Sequence, residues 1–461
     1  MNSSTLTEPP TGAVRVRPAR VPQRLRNLEL VLLLLALAIS GFAIWLAEAG
    51  TGVRDPGLLP QLVWIPAALL LALHVVLRIV AREADPFILP IGALLTGIGI
   101  TMIHRLDIAE RTLDWSGFAV RQVVWASIGI AAAIAVVLVL RNHRLLQRYT
   151  YLAMLGAIVL LILPSIPGIG TDRNTGSYLW IDLGIATFQP GEIAKILLAV
   201  FFAGYLVQRR DALSAVGRTV LGIRFPRVRD LGPILVVWAA SMLVLILQRD
   251  LGTSLLYFGL FLVMLYVATG RTSWVIIGLL LFAGGAVLAS RLLPYVAGRF
   301  NAWINAFDPA VYDAVGGSYQ LVQGLFGMAH GELLGAGLGR GYPYIVPLAE
   351  SDFIIPSLGE ELGLIGLFAI LALFLLLVSR GLRIGFAGQD DFGTLLAVGL
   401  SFVIALQCFI VIGGVTLVIP VTGLTTPFLS AGGSSLVANW MIAAILLRIS
   451  DSVRNQRRMV V

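Results

Sequence analysis

Lys195 is the single lysine of the chain, every other basic residue being arginine, and it falls within an apolar stretch. A lysine in the middle of a membrane span costs about 2.5–3.5 kcal/mol on insertion scales, so it needs a partner or a wet cavity. Glu192 stands three residues earlier, on the same helical face and close enough to pair. Two readings stay open: a structural ion pair that ties helices together, or a charged pair lining a cavity for a polar head group. Gln189-Pro190 opens this helix. Proline suits a first turn, and the free N–H groups there favour an anion.

Further acidic residues recur where apolar segments meet water. In Gln248-Arg249-Asp250-Leu251-Gly252-Thr253, Asp250 is placed to cap the following helix. Asp313 follows Phe307-Asp308-Pro309 and precedes Gly316-Gly317-Ser318-Tyr319-Gln320. It reads either as an ordinary turn aspartate or as a general base at a membrane surface. The glycines of Gly335-Ala336-Gly337-Leu338-Gly339-Arg340-Gly341 would let backbone N–H groups approach phosphate oxygens. Without a Lys-Ser/Thr ending or a βαβ unit, neither a P-loop nor a dinucleotide fold is supported. Ser351-Asp352-Phe353, with Ser351 as the expected helix cap, and Gly359-Glu360-Glu361-Leu362-Gly363 lead into the next apolar run. The Pro/Gly-broken stretch from Pro420 to Ser435 lies between the last two apolar runs, and irregular backbone at that depth must be buried in protein or line a cavity. Cys408 is the only cysteine, and His74, His104, His143 and His330 are scattered, so neither a disulfide within the chain nor a cysteine or histidine metal site is expected.

The elements that position these groups are membrane helices. Of 461 residues, 58% are hydrophobic and 13% charged, against about 25% charged in a soluble domain. Apolar runs long enough to cross a bilayer recur throughout. They lie near 28–48, 62–81, 87–104, 120–140, 150–166, 190–207, 232–247, 252–270, 273–293, 357–379, 396–418 and 426–447. The fold expected is an all-α polytopic membrane protein of about twelve spans. Basic residues crowd Arg15 to Arg26, Arg141 to Arg148, Arg209 to Arg229 and Arg448 to Arg458, which places both termini in the cytoplasm. The net charge of +8 belongs to these loops and calls for no nucleic acid. Residues 1–26 read as a disordered cytoplasmic tail, 27–86 as the first two membrane helices, and 449–461 as a basic cytoplasmic tail. Residues 294–356 form an external loop too long to serve only as a connection, with an amphipathic stretch from Tyr319 to Met328.

Taken in order, these segments resemble the SEDS family (shape, elongation, division and sporulation), which includes RodA and FtsW. The resemblance covers about residues 87–448 and rests on Trp180-Ile181-Asp182-Leu183-Gly184, Phe188 to Lys195, Asp250 to Thr253, Asp313 with Gly317 and Tyr319-Gln320, Asp352-Phe353-Ile354, Gly359 to Gly363, and Pro420 to Ser435. The chain departs from the family pattern at Gly191, Arg249, Glu350-Ser351 and Ala431.

The resemblance, closer to RodA than to FtsW, implies a ten-helix core preceded by two added helices. The activity it implies is that of a peptidoglycan glycosyltransferase polymerising lipid II on the outer face of the cytoplasmic membrane, together with a class B penicillin-binding protein. It makes Asp313 the catalytic residue. Glu192, Lys195, Asp250, Arg299, Gln320, Arg340, Asp352 and Ser434 are expected to bind substrate, with Lys195, Arg299 and Arg340 neutralising the pyrophosphate. Membrane lipids are partners by necessity. No cofactor is assigned, and the pyrophosphate makes Mg²⁺ the candidate. The competing expectations are a flippase that moves lipid II without chemistry, and a scaffold that only recruits the transpeptidase.

Overall fold

The computed structural model describes residues 24–53, 58–166, 168–172, 178–182, 184, 187–214, 219–220, 223–224, 226 and 231–460. Leucine- and alanine-rich runs give α1 (Arg24–Thr51), the short α2 (Leu58–Leu62) and α3 (Trp64–Val80). They are followed by α4 (Ile88–Glu110), α5 (Phe118–Val139), α6 (Leu145–Arg148), α7 (Thr150–Ile162) and α8 (Pro190–Leu213), which begins at its proline as expected. Next come α9 (Gly232–Gln248), α10 (Leu251–Thr269) and α11 (Thr272–Leu292). The long loop folds into α12 (Pro294–Ile304), α13 (Pro309–Tyr312) and the amphipathic α14 (Tyr319–His330). The chain ends with α15 (Ile354–Ala387), α16 (Asp391–Val415) and α17 (Gly433–Val460).

The molecule is an all-α polytopic membrane protein. Among the described residues, ten helices are long and apolar enough to cross a bilayer, while Thr150–Ser165 and Gly232–Gln248 are shorter apolar helices. Each of the twelve expected apolar runs contains a helix, but the last is helical only from Gly433 and two of the helices are too short to count as spans on length alone. A small antiparallel sheet interrupts the helices: β1 (Gly170–Asp172), β2 (Tyr178–Asp182) and β3 (Thr187–Phe188) pair in the order β1-β2-β3. A separate hairpin joins β4 (Thr219–Val220) to β5 (Ile223–Arg224). The expected tail at 1–26 lies, up to residue 23, outside the described residues; α1 has begun by Arg24, and Arg26 is already buried. Residues 449–460 continue α17 as helix.

α17 packs along α5, α16 along α15, and α7 along α8. α1 lies along α4 and α3 along α5, so the first helices form a layer against the bundle. Polar groups at one end, here called the far end, lock that layer in place. Glu29 accepts from Arg26 at 2.5 Å and lies 2.7 Å from His74 Nδ1, with all three side chains buried. Asp85, between α3 and α4, meets Arg380 of α15 and Arg454 of α17. The opposite end carries the 294–353 segment and the β1–β3 sheet, and is here called the cavity end.

Candidate active site

A cavity of about 450 Å³ opens at the cavity end, within the size range of small-ligand sites. Leu179 and Trp180 of β2 form one wall, and Ala302 and Trp303 of α12 line it too. The indole N–H of Trp303 donates to Leu417 O at 2.9 Å, which fixes the ring. Gly316 and Gly317 with Gln320 and Leu321 close another side, and Val421 to Gly423 contribute from the broken stretch before α17. The walls therefore come from segments more than 200 residues apart in sequence.

The charged groups of the cavity are Arg249, Asp250, Arg299 and Asp352. Arg299 on α12 donates from Nη1 to Val421 O at 2.9 Å. Gly423, at φ +82°, marks where it meets Asp352: a Cβ there would lie 3.7 Å from Asp352 Oδ2 and 3.9 Å from either terminal nitrogen of Arg299. Burial pushes the Asp352 carboxyl up to about 7; Arg299 opposes that rise, while Asp250 and Glu350 add to it. Asp250 is raised too, chiefly by burial and against the hydrogen bonds it accepts from Thr253. Asp250 also caps α10 as expected, with Oδ1 accepting from Thr253 N at 2.9 Å. One side chain thus both caps a helix and faces the cavity. Among the described residues no three His, Cys, Asp or Glu side chains gather as a metal site.

Of the expected substrate-binding residues, Asp250, Arg299, Gln320 and Asp352 line this cavity. Asp313 ends α13 as an exposed residue, and the turn it begins reaches Gly316 and Gly317 at the rim. It sits beside the cavity and does not line its wall. Lys195 is 1% exposed inside the bundle, 2.5 Å from Glu192 and 3.0 Å from Gln407 Oε1. The reading in which Lys195 and Glu192 tie helices together is the one the geometry carries, because a buried lysine is held by these partners. Gln407 in turn donates to Thr425 O at 2.8 Å, so the pair supports the broken stretch under the cavity. Ser434 accepts from Gln189 N at 2.9 Å, and that bond places it at the start of α8 instead of on the cavity wall.

Arg340 is exposed on the 331–346 segment, away from the cavity lining. The glycine run that precedes it is no phosphate cradle, because its donors are occupied. Ala336 N and Gly337 N donate to Glu360 O and Glu361 O, and Gly339 N donates to Glu361 Oε2 at 2.9 Å. These bonds serve a break in α15 at Gly363, whose φ of 67° and ψ of −174° only glycine adopts readily. Leu364 N and Ile365 N, freed by the break, donate to Glu332 O and Leu333 O. Glu360 and Glu361, two of the acidic residues expected near a membrane mouth, are buried partners of this strap. The expected Ser351 cap is absent: α15 starts after Phe353 with no side-chain cap, and the Ser351 hydroxyl points to Leu348 O.

The broken stretch itself is buried in protein, as its depth requires. Gln122 donates to Ser430 O at 2.9 Å, Ser430 Oγ to Ser351 O at 2.7 Å, and Ala431 N to Glu350 O at 2.7 Å. Sequence reasoning missed Arg249 and Trp303. The aromatic position on the amphipathic α12 was a usable signal for Trp303; Arg249, held at φ 53°, had none.

A membrane bundle whose irregular backbone frames a charged and aromatic cavity defines a class of polytopic protein that handles a polar ligand at one membrane face. The sequence model of the cell cycle protein family FtsW/RodA/SpoVE matches residues 86–455, and the chain belongs to that family. The peptidoglycan glycosyltransferase RodA of Mycobacterium tuberculosis is 43% identical over 94% of this chain and 92% of its own. Stage V sporulation protein E of Bacillus subtilis is 35% identical over 79% of this chain and 96% of its own. A chain from a peptidoglycan synthase complex, studied for its coordination of polymerization and crosslinking, shares the fold with a TM-score of 0.61 at 22% identity, covering 80% of this chain and 98% of that one.

Proposed function

We propose that this chain is a peptidoglycan glycosyltransferase that polymerises lipid II by inverting transfer. The reading places both termini in the cytoplasm and the cavity on the external face of the cytoplasmic membrane, with a RodA-like role in shape and elongation. The observation that carries it is a cavity with Arg299 facing Asp352 in a chain 43% identical to a named peptidoglycan glycosyltransferase. Orientation is supported by the basic residues between spans.

In the proposed reaction the 4-hydroxyl of a GlcNAc attacks the anomeric carbon of a MurNAc. A new C–O bond forms as the bond to the lipid pyrophosphate breaks, and the electron pair leaves on the pyrophosphate oxygen. Asp313 takes the hydroxyl proton from its turn at the rim, and Arg299 holds the growing negative charge of the leaving group. Trp180 and Trp303 offer aromatic faces to the sugar rings. A Mg²⁺ ion would be held chiefly by the pyrophosphate and would share its charge with Arg299.

A second reading makes Asp352 the base, because it lines the cavity and titrates at about 7. The two are separated by Asp313→Asn and Asp352→Asn in a polymerisation assay, since only the base is indispensable. The proposed partner is a class B penicillin-binding protein, which fits the synthase complex that shares this fold. Incubation of the purified chain, with and without such a partner, with labelled lipid II tests the proposal as a whole. Glycan strands support it; translocation in vesicles without polymer replaces it with a flippase.

A further inference from the structure

The helices α1–α3 precede the part of the chain that the family's sequence model matches, which begins at residue 86. From the packing of α1 we infer that this added layer is a positioning element: α1 braces the glycine strap at 335–341 and through it holds the wall of the cavity.

The contact is backbone against backbone. A Cβ at Gly50 would lie 2.1 Å from Leu338 O and 3.0 Å from Gly339 Cα. From the other side, a Cβ at Gly339 would lie 2.5 Å from Ala47 O and 2.9 Å from Gly50 Cα. Two facing glycines are therefore what let the end of α1 close on the strap, and any side chain at either one forces the two apart.

The opposite side of the strap is gripped by the bundle. Glu361 Oε2 accepts from Gly339 N, and its Oε1 accepts from Arg105 Nε, both at 2.9 Å. Arg105 Nη2 donates to Gly341 O at 2.8 Å. The strap is thus clamped between α1 on one side and α4 with α15 on the other. α1 has a fixed position from which to press. Its Ser40 sits against Gly97 of α4, where a Cβ would come within 1.9 Å of the hydroxyl, and Glu29 and Arg26 lock the far end.

What the strap joins gives the brace its consequence. It runs from α14, which supplies Gln320 and Leu321 to the cavity, to Leu348 and Asp352 on another side. Gln320 Nε2 donates to Pro347 O at 2.6 Å and closes the two wall segments on each other. A strap displaced by α1 moves both. An anchor that merely held the chain in the bilayer would touch neither.

The test uses the full chain in nanodiscs with Gly50→Leu, a wedge, and Gly41→Leu on the same helix as control, since a Cβ at Gly41 meets nothing within 4 Å. Gly50→Leu is expected to speed amide exchange across 335–341 about tenfold, the signature of a local opening. Exchange at residues 81–87, whose amides bond Asp451 and Ser450 at the far end, should stay unchanged. With labelled lipid II, KM should rise about tenfold while kcat falls by less than about half of that, a split that lost stability alone does not produce. Gly41→Leu should match wild type in every readout. If Gly50→Leu does not fold, Gly50→Ala is the gentler wedge from the same side, its Cβ still 2.1 Å from Leu338 O. Unchanged exchange at 335–341, or an equal rise at 81–87, overturns the brace. Altered exchange with unaltered kinetics overturns its role in turnover. The exchange arm does not depend on the proposed reaction, so a wild-type chain without polymerase activity would count against the function and leave the brace to be judged separately.

Discussion

Replacement of Arg299 by Gln removes a cation that faces both cavity carboxylates and leaves a shorter, neutral polar side chain. Nη1 is fixed on Val421 O at 2.9 Å, which orients the guanidinium beside Asp352. A hydrogen bond to a charged group contributes about 1.5–3 kcal/mol, so losing one to the pyrophosphate should lower kcat/KM by about 10- to 100-fold. A second effect runs the other way and offsets part of that loss, because a neutral Asp352 repels the pyrophosphate less. Arg299 lowers the pKa of Asp250 and of Asp352, so without it both carboxyls shift further up, and Asp352 titrates above its present value of about 7. Arg299→Lys keeps the charge and loses the planar fork, so it should fall between wild type and Gln. The assay is the initial rate of glycan formation from labelled lipid II across a concentration series. An Arg299→Gln enzyme within about twofold of wild type in kcat/KM would refute the electrostatic role, as would Lys and Gln variants damaged equally.

Other outcomes follow from the same geometry. Asp352, titrating at about 7, is mostly neutral below that pH and mostly charged above it, so its negative charge beside Arg299 appears as pH rises. Binding of a pyrophosphate lipid should tighten as pH falls from 8 to 6, while the charged fraction drops from about nine-tenths to about one-tenth, and Asp352→Asn should bind tightly with a flat profile. An Asp352→Asn profile as steep as that of wild type would reject this. Trp303→Ala, which removes an aromatic wall, should raise KM for lipid II by about tenfold for a stacking loss near 1.4 kcal/mol, whereas Trp303→Phe should recover most of it. Gly363→Ala puts a Cβ 2.2 Å from Gly335 N at a φ of 67°, and thermal unfolding in detergent should show a clearly lowered midpoint. Glu361→Gln leaves Arg105 buried without its counter-charge and should cost about 3–5 kcal/mol, read as loss of folded protein during purification; replacing both residues by apolar ones of like volume should recover much of it.

The helical architecture was legible because the bilayer imposes it: every expected apolar run contains a helix, and ten of those helices are long enough to span. The local signals held as well. Asp250 caps α10, Pro190 opens α8, and the three-residue spacing of Glu192 and Lys195 does produce an ion pair. What stayed hidden depends on contacts between distant segments. Nothing near Gly339 announces that its N–H belongs to Glu361, or that Gly50 presses on it from the N-terminal layer. Ser434 looked like a cavity hydroxyl because the broken stretch frames the cavity, yet its hydroxyl faces Gln189 N. Arg340 is expected at the pyrophosphate through the resemblance, yet it is exposed away from the cavity lining, and the glycines around it serve the break in α15. Asp313 is expected through resemblance alone, and the structure puts it in an exposed turn that leads to Gly316 and Gly317, beside the cavity lining and not in it.

The most direct measurement is glycan-strand formation by purified Asp313→Asn protein with the proposed transpeptidase partner, run beside wild type and Asp352→Asn. A general base contributes about 10²–10⁴ in rate, so Asp313→Asn should fall to about a hundredth of wild type or below while remaining folded, and Asp352→Asn should keep activity within about tenfold. Polymer made by Asp313→Asn at the wild-type rate would contradict the account.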